Sequence, residues 1–252
     1  MSAVAHSALA LNLVHGPYEL RLAQTEAERI SAYRLRFEVF NLELKEGLDT
    51  AHEAGQDVDQ FDTVCDHLIV EDRRGGTIVG TYRLQTGSTA ATNAGYYSER
   101  EFDFSPYEPL RDSMVELGRA CIRLDHRSTE VLLLLWRGIV QYAVQNGAQY
   151  LIGCCSLASQ DPAEGTSVFA ALSGSLAETR LRTTPQAGFT MPSVRSADRE
   201  PKLPKLLRTY LAVGAKICGP PAIDREFKTI DFLTLMDLDH LHPRLRSRFL
   251  KP

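Results

Sequence analysis

The stretch from Glu116 to Ser156 constrains the fold more than any other part of this chain. Glu116-Leu117-Gly118-Arg119-Ala120-Cys121-Ile122 reads as a strand, Arg123 to Ser128 as a short polar turn, and the residues from Ser128 onward as a helix apolar nearly all round. A helix without a polar face has no side to give to solvent, so it is expected to lie buried against a sheet. Asn146-Gly147 supplies its stop, and Tyr150 to Ser156 follows as a central strand. The first strand carries two opposite charges, Glu116 and Arg119. In a regular strand side chains alternate faces, which would send these two positions to opposite sides of the sheet. Gly118 offers a resolution, because a glycine inside a strand often marks a bulge, and one inserted residue shifts the alternation. Two readings then stand: a functional pair in one cleft, or a salt bridge on a sheet face.

The rest of the chain supplies the remaining strands. Tyr18 to Leu22 alternates as a strand, and Thr25-Glu26-Ala27-Glu28 has the form of a capping box opening a helix to about Leu44. Ile30, Tyr33, Phe37, Phe40 and Leu44 make that helix's apolar stripe, with Arg36 on its margin. Lys45 to Asp62 is acidic and aperiodic, a loop. His67 to Glu71 and Thr77 to Gln85 flank Arg73-Arg74-Gly75-Gly76, a hairpin. A second helix is expected from near Ala163 towards Arg180, a proline-rich excursion from Thr183 to Pro204, a short helix from Leu203 to Val213, and one or two strands between Lys216 and Leu238. Hairpins early and alternation later predict an α+β, or mixed α/β, domain with a partly antiparallel central sheet flanked by helices. The domain is expected over residues 18–239, between a flexible N-terminal segment, 1–17, and a basic tail, 240–252.

At 252 residues the chain can bury a core without disulfide or metal staples. Its net charge of −4 does not suit a nucleic-acid-binding domain. The five cysteines, Cys65, Cys121, Cys154, Cys155 and Cys218, show no metal-ligand spacing and read as reduced thiols, hence a cytoplasmic setting. Residues 1–17 lack a positive leader region, and no apolar run reaches the length of a spanning helix. The tail, with Arg244, Arg246 and Arg248 among spaced apolar residues, suits either a solvated end or contact with an anionic membrane or an acidic partner.

Ser128-Thr129 opens the buried helix, where exposed amides can bind phosphate and Arg127 with His126 would add charge; a plain cap is the alternative. Asp59, Asp62 and Asp66 match no calcium loop, and no metal is expected. The seven histidines form no hydrolase or metalloprotease pattern.

Taken together, Tyr33 to Phe40, Phe61 to Val70, Val79 to Leu84, Glu116 to Arg119, Leu133 to Ile139 and Ala222 to Asp231 resemble successive blocks of the L-ornithine Nα-acyltransferases, enzymes of the GNAT superfamily that make lyso-ornithine lipid. The resemblance runs from about residue 18 to 237. The same skeleton is similar to acyl-homoserine lactone synthases and N-acyl amino acid synthases. In those relatives the site is lined by an arginine in the first helix, two acids three apart in the next loop, a strand arginine and a Glu-x-x-Arg strand. Carried over, these are Arg36, Asp59 and Asp62, Arg83, and Glu116 with Arg119.

The resemblance implies transfer of a long (3-hydroxy)acyl chain from acyl carrier protein to the α-amine of ornithine, with no tightly bound cofactor. Glu116 is then the expected general base, Arg36, Arg83 or Arg119 the clamp for the acceptor carboxylate, and Asp59 or Asp62 the partner of its side-chain ammonium. The glycine-bearing pyrophosphate loop of acetyl-CoA-using relatives is absent from Asp125 to Glu130, which fits a donor presenting the single phosphate of phosphopantetheine to Arg127, Ser128 and Thr129. A basic surface around Arg123, Arg127 and Arg137 or the tail would receive the acidic carrier protein. Other acceptors (lysine, glutamine, tyrosine, glycine), a homoserine lactone product, or a non-catalytic module that binds carrier protein or lipid remain as alternatives.

Overall fold

The computed structural model describes residues 11–197, 201–241 and Phe249. Its backbone is one nine-stranded sheet with helices on it. Five strands come from the first half: β1 (Asn12–His15), β2 (Tyr18–Leu22), β3 (Asp66–Asp72), β4 (Thr77–Thr86) and β5 (Met114–Ile122). Four follow: β6 (Tyr150–Leu157), β7 (Lys216–Ile217), β8 (Ala222–Asp224) and β9 (Thr229–Asp237). The spatial order is β1-β2-β3-β4-β5-β6-β9-β7, with β8 also on β9. Each pairing is antiparallel except β5 with β6, which are joined through a helix and run parallel.

The helices are α1 (Glu26–Phe37), α2 (Ala51–Ala54), α3 (Gly87–Thr92), α4 (Thr129–Gln145), α5 (Pro162–Ala171) and α6 (Lys205–Ala212). Thr25 and Glu28 close the expected capping box on α1. Beyond Phe37 the helix continues, but as a π-helix over Glu38–Glu43. On α4, Val131, Leu135, Trp136 and Ile139 join one core with Leu20, Leu68 and Val70 of the sheet. Gly138 lets α4 lie close, since a Cβ there would stand 2.6 Å from Leu20 Cδ2.

The splay between β5 and β6 positions the site. The two strands pair only at Met114 with Tyr150, Val115 with Leu151 and Glu116 with Ile152. At the point of divergence Gly153 is required, because a Cβ would fall 2.2 Å from the Leu117 carbonyl oxygen. Beyond it β5 stays on β4 and β6 stays on β9, so a V opens between them. The bulge expected near Gly118 lies on β5: Arg83 faces Gly118 and Thr81 faces Cys121, so Tyr82 alone on β4 stands against Arg119 and Ala120 on β5. Its left-handed residue is Arg119, with φ of 49°, and not the glycine.

Three boundaries differ from expectation. Asn12–His15, placed ahead of the domain, pairs with β2 as an edge strand. The helix expected from Ala163 towards Arg180 ends at Ala171, because Ser173-Gly174-Ser175 turns the chain into short 3-10 segments. The region from Lys216 to Leu238 holds three strands where one or two were expected. Arg244, Arg246 and Arg248 lie outside the described residues, whereas Phe249 is buried and stacks on Trp136 with ring centroids 5.9 Å apart.

Candidate active site

A cavity of about 750 Å³ fills the V. One wall is polar and belongs to the sheet: Arg83 from β4, Glu116 and Arg119 from β5, Cys154 from β6 and Asp231 from β9. Another is apolar, with Val39 and Phe40 from the π-helix, Leu132 from α4, and Leu203 and Leu206 at the start of α6. At its edge lie Arg127, Ser128 and Thr129. The sheet residues and the α4 start therefore face one space. Of the first helix's stripe, Phe40 and Leu44 reach it, while Tyr33 is buried beside His67.

Glu116 and Arg119 share this cavity but not a salt bridge. Glu116 accepts hydrogen bonds from the Tyr97 amide at 2.8 Å, the Ser98 amide at 2.8 Å and the Ser98 hydroxyl. Burial raises its pKa above the ordinary carboxylate value in spite of these donors. Arg119 donates to Asp59 Oδ2 at 2.9 Å and stands 3.2 Å from Asp57 Oδ2. Its guanidinium is also held between the rings of Tyr97 and Phe227, with centroid distances of 4.8 and 4.3 Å.

Behind the cavity wall lies a buried network of three arginines and three aspartates. Arg36, expected on the margin of a helix stripe, is fully buried; it donates to Asp57 at 2.7 Å and is bidentate to Asp62 at 2.7 and 2.9 Å. Arg83 donates to Asp59 at 2.6 Å and to Asp62 at 3.2 Å. The acids are set by local turn chemistry: Asp59 caps the 3-10 turn Gln60–Thr63 and Asp62 completes its capping box. Burial opposes ionisation of Asp62, yet Arg36 and Arg83 hold its carboxyl well below the usual range. Asp59 is lowered likewise: burial works against it, and Arg83 with Arg119 overcomes that.

This arrangement changes the task of Asp59 and Asp62. Each of their four carboxylate oxygens already accepts from an arginine, Asp59 Oδ1 from the Phe61 amide as well and Asp62 Oδ2 from the Asp59 amide. Neither residue, nor Arg36, is among those lining the cavity. They orient Arg83 and Arg119 from behind the cavity wall and do not line the space an acceptor ammonium would enter. Arg83 keeps one buried donor, Nη2, without a partner. Asp66 is elsewhere altogether, accepting from Tyr142 at 2.6 Å.

At the α4 start the Ser128 hydroxyl caps the Val131 amide at 3.3 Å. Arg127 is bidentate to Glu43 at 2.6 Å through both terminal nitrogens. Arg123 is likewise neutralised by Asp125, at 2.8 Å. All five cysteines are free thiols. Burial, then the charge of Glu101, pushes the Cys154 thiol well above its ordinary pKa, which keeps it protonated and unreactive.

Sequence reasoning missed Asp57, Tyr97 and a cluster of three side chains, Glu101, Cys154 and Asp231, whose ligand atoms lie within 4.8 Å of one another. Asp57 had a readable signal, two residues before Asp59 in the same acidic loop. Glu101 and Asp231 had none, being 130 residues apart (231 − 101) and joined only by the sheet.

Comparison with known proteins bears on this geometry. Residues 35–137 match a family model described as an acetyltransferase (GNAT) domain. The L-ornithine N(alpha)-acyltransferase of Brucella abortus (strain 2308) is 32% identical over 250 residues, spanning 93% of this chain and 89% of that protein. The protein of the same name from Rhizobium meliloti (strain 1021) is 32% identical over 245 residues, spanning 90% and 82%. Among solved structures, FeeM, an N-acyl amino acid synthase from uncultured soil microbes, superposes with a TM-score of 0.56 at 11% identity, over 92% of this chain and 94% of that one, a likeness of fold.

Proposed function

The chain belongs to the L-ornithine N(alpha)-acyltransferase family, and from that premise we propose that it transfers a long, 3-hydroxylated acyl chain from the thioester of acyl carrier protein to the α-amine of ornithine. The product is N-acylornithine, and the step is the first of ornithine lipid synthesis. The observation that carries this reading is the V between β5 and β6, where a buried carboxylate, an arginine with an unpaired donor and an apolar wall meet the start of α4.

In this reading the acyl chain lies along Phe40, Leu132 and Leu206, and the phosphopantetheine phosphate sits at Ser128 and Thr129, near the first amides of α4. Arg83 Nη2, beside Arg119, takes the acceptor carboxylate. Glu116, directly or through a water, removes a proton from the α-ammonium; its raised pKa suits a base that must work near neutrality. The neutral nitrogen then attacks the thioester carbonyl. The oxyanion meets backbone amides in the splayed segment, where β5 beyond Glu116 has no β6 partner. Collapse expels the pantetheine sulfur, which leaves as the thiol with a proton, and the amide remains. No acyl-enzyme is needed, in keeping with the protonated Cys154.

The carrier-protein donor is supported by the missing glycine loop between Asp125 and Glu130. Among the described residues no helix is long and apolar enough to cross a membrane; contact of the lipid product with the inner membrane face is assigned to peripheral association. The test is thiol release from 3-hydroxyacyl-carrier protein and from the matching acyl-CoA, each with ornithine, lysine, glutamine, tyrosine or glycine. Release with carrier protein and ornithine is expected. Faster release from the CoA thioester overturns the donor, preference for another amine overturns the acceptor, and no release with any pair leaves a binding module.

A further inference from the structure

The cavity has an acidic end that the chemistry above does not use. Asp231 and Glu101 are only 3% and 1% exposed, and Asp231 with its neighbour Cys154 lines the cavity. Asp231 accepts from the Thr229 hydroxyl at 3.2 Å and is within hydrogen-bond reach of Ser156 and of Glu101, which the Cys154 thiol meets at 3.9 Å; Asp231 Oδ1 and Glu101 Oε1 accept from no donor group. Two buried carboxylates facing each other with an open oxygen apiece call for a cation or a shared proton. The surrounding charges do not supply one. Asp224 adds a further negative charge to both acids, and Glu46, which lines the cavity, faces Asp231. The cation acting on Glu101 is Arg119, already bonded to Asp59. Burial, together with these neighbours, raises Glu101 well above the ordinary carboxylate value, Asp231 to about 6 and Glu46 to about 7. Near neutral pH the pair therefore holds one proton, on the Glu101 side, until a cation displaces it.

We propose that Asp231 and Glu101 hold the side-chain ammonium of a diamino-acid acceptor and thereby select ornithine over amino acids whose side chain ends in a methyl group. The proposal rests on the N-acyltransferase reading. An ammonium carries three N–H donors and no acceptor, so it complements open carboxylate oxygens as no neutral side chain does. The acceptor's two ends then meet opposite signs: its carboxylate the unpaired Arg83 Nη2, its far ammonium the unpaired oxygens of Asp231 and Glu101. That polarity directs the α-amine, and not the side-chain amine, towards the thioester.

Norvaline, which is ornithine without the terminal amine, is the discriminating probe. The wild-type protein is expected to show a kcat/KM for ornithine at least roughly 10²-fold above that for norvaline, as for sites built to bind a substrate N–H. In Asp231→Asn and Glu101→Gln, each checked for folding by its melting transition, that ratio falls towards one. Equal use of ornithine and norvaline by the wild type overturns the proposal while leaving the transferase reading intact. Loss of activity on chelation, restored by a divalent metal, overturns it in favour of a metal site. Failure of the wild type to acylate either compound removes the transferase reading and this proposal with it.

Discussion

Single side chains divide here by whether their hydrogen bonds are complete. Glu116 is held by three donors from Tyr97 and Ser98 yet keeps a raised pKa, which is the condition for a placed base. Glu116→Gln keeps the size and can keep the two bonds from Ser98, but it sets an N–H against the Tyr97 amide; a loss of about 1–3 kcal/mol in stability is expected, while kcat falls by about 10²–10⁴ in protein that is still folded. Asp62 is the opposite case. Asp62→Asn leaves Arg36 and Arg83 short of charge in the interior and is expected to cost about 3–5 kcal/mol, read as a lower denaturation midpoint. The pH dependence follows in sign. Asp59 and Asp62 have depressed folded pKa values, so their contribution is present above the unfolded value of about 4 and is lost as pH falls below it. Asp231 is raised to about 6, so its contribution is full below about pH 4 and is gone above the folded value. Melting of ligand-free Asp231→Asn should therefore exceed wild type at pH 8 and converge with it near pH 4. The sequence exposed Glu116, Arg119, Arg83 and Arg36 by type and spacing. It could not expose that Asp59 and Asp62 are saturated, because saturation depends on three arginines arriving from α1, β4 and β5.

At the scale of elements, the site exists because β5 and β6 part after Glu116. Gly153 permits the crossing, so Gly153→Ala should force the strands apart or shift β6, lowering both the melting temperature and kcat. Loss of stability with unchanged activity would show that the splay does not position the chemistry. The bulge was legible from Gly118, since an acid and an arginine three apart in an apolar strand need it to share a cleft. The left-handed residue of that bulge is Arg119, one past the glycine that marked it, fixed by Asp57, Asp59, Tyr97 and Phe227. The start of α4 was legible as a cap. Ser128→Ala should cost roughly 1 kcal/mol of stability through the lost cap on Val131, and raise KM for a carrier-protein donor if the phosphate sits there.

Across the whole molecule, the hairpin, the buried α4 and the strands on either side of it were readable from periodicity, because each is set by local pattern. The acidic end of the cavity was not: Glu101 follows a 3-10 turn, Asp231 lies in β9, and only the sheet order brings them together. That end, the unpaired donor of Arg83 and the V between the strands together define one orientation of the acceptor. The most direct measurement is tandem mass spectrometry of the product formed from 3-hydroxyacyl-carrier protein and ornithine. A single product acylated on the α-nitrogen is predicted; acylation on the side-chain nitrogen, or a mixture of the two, would contradict the account.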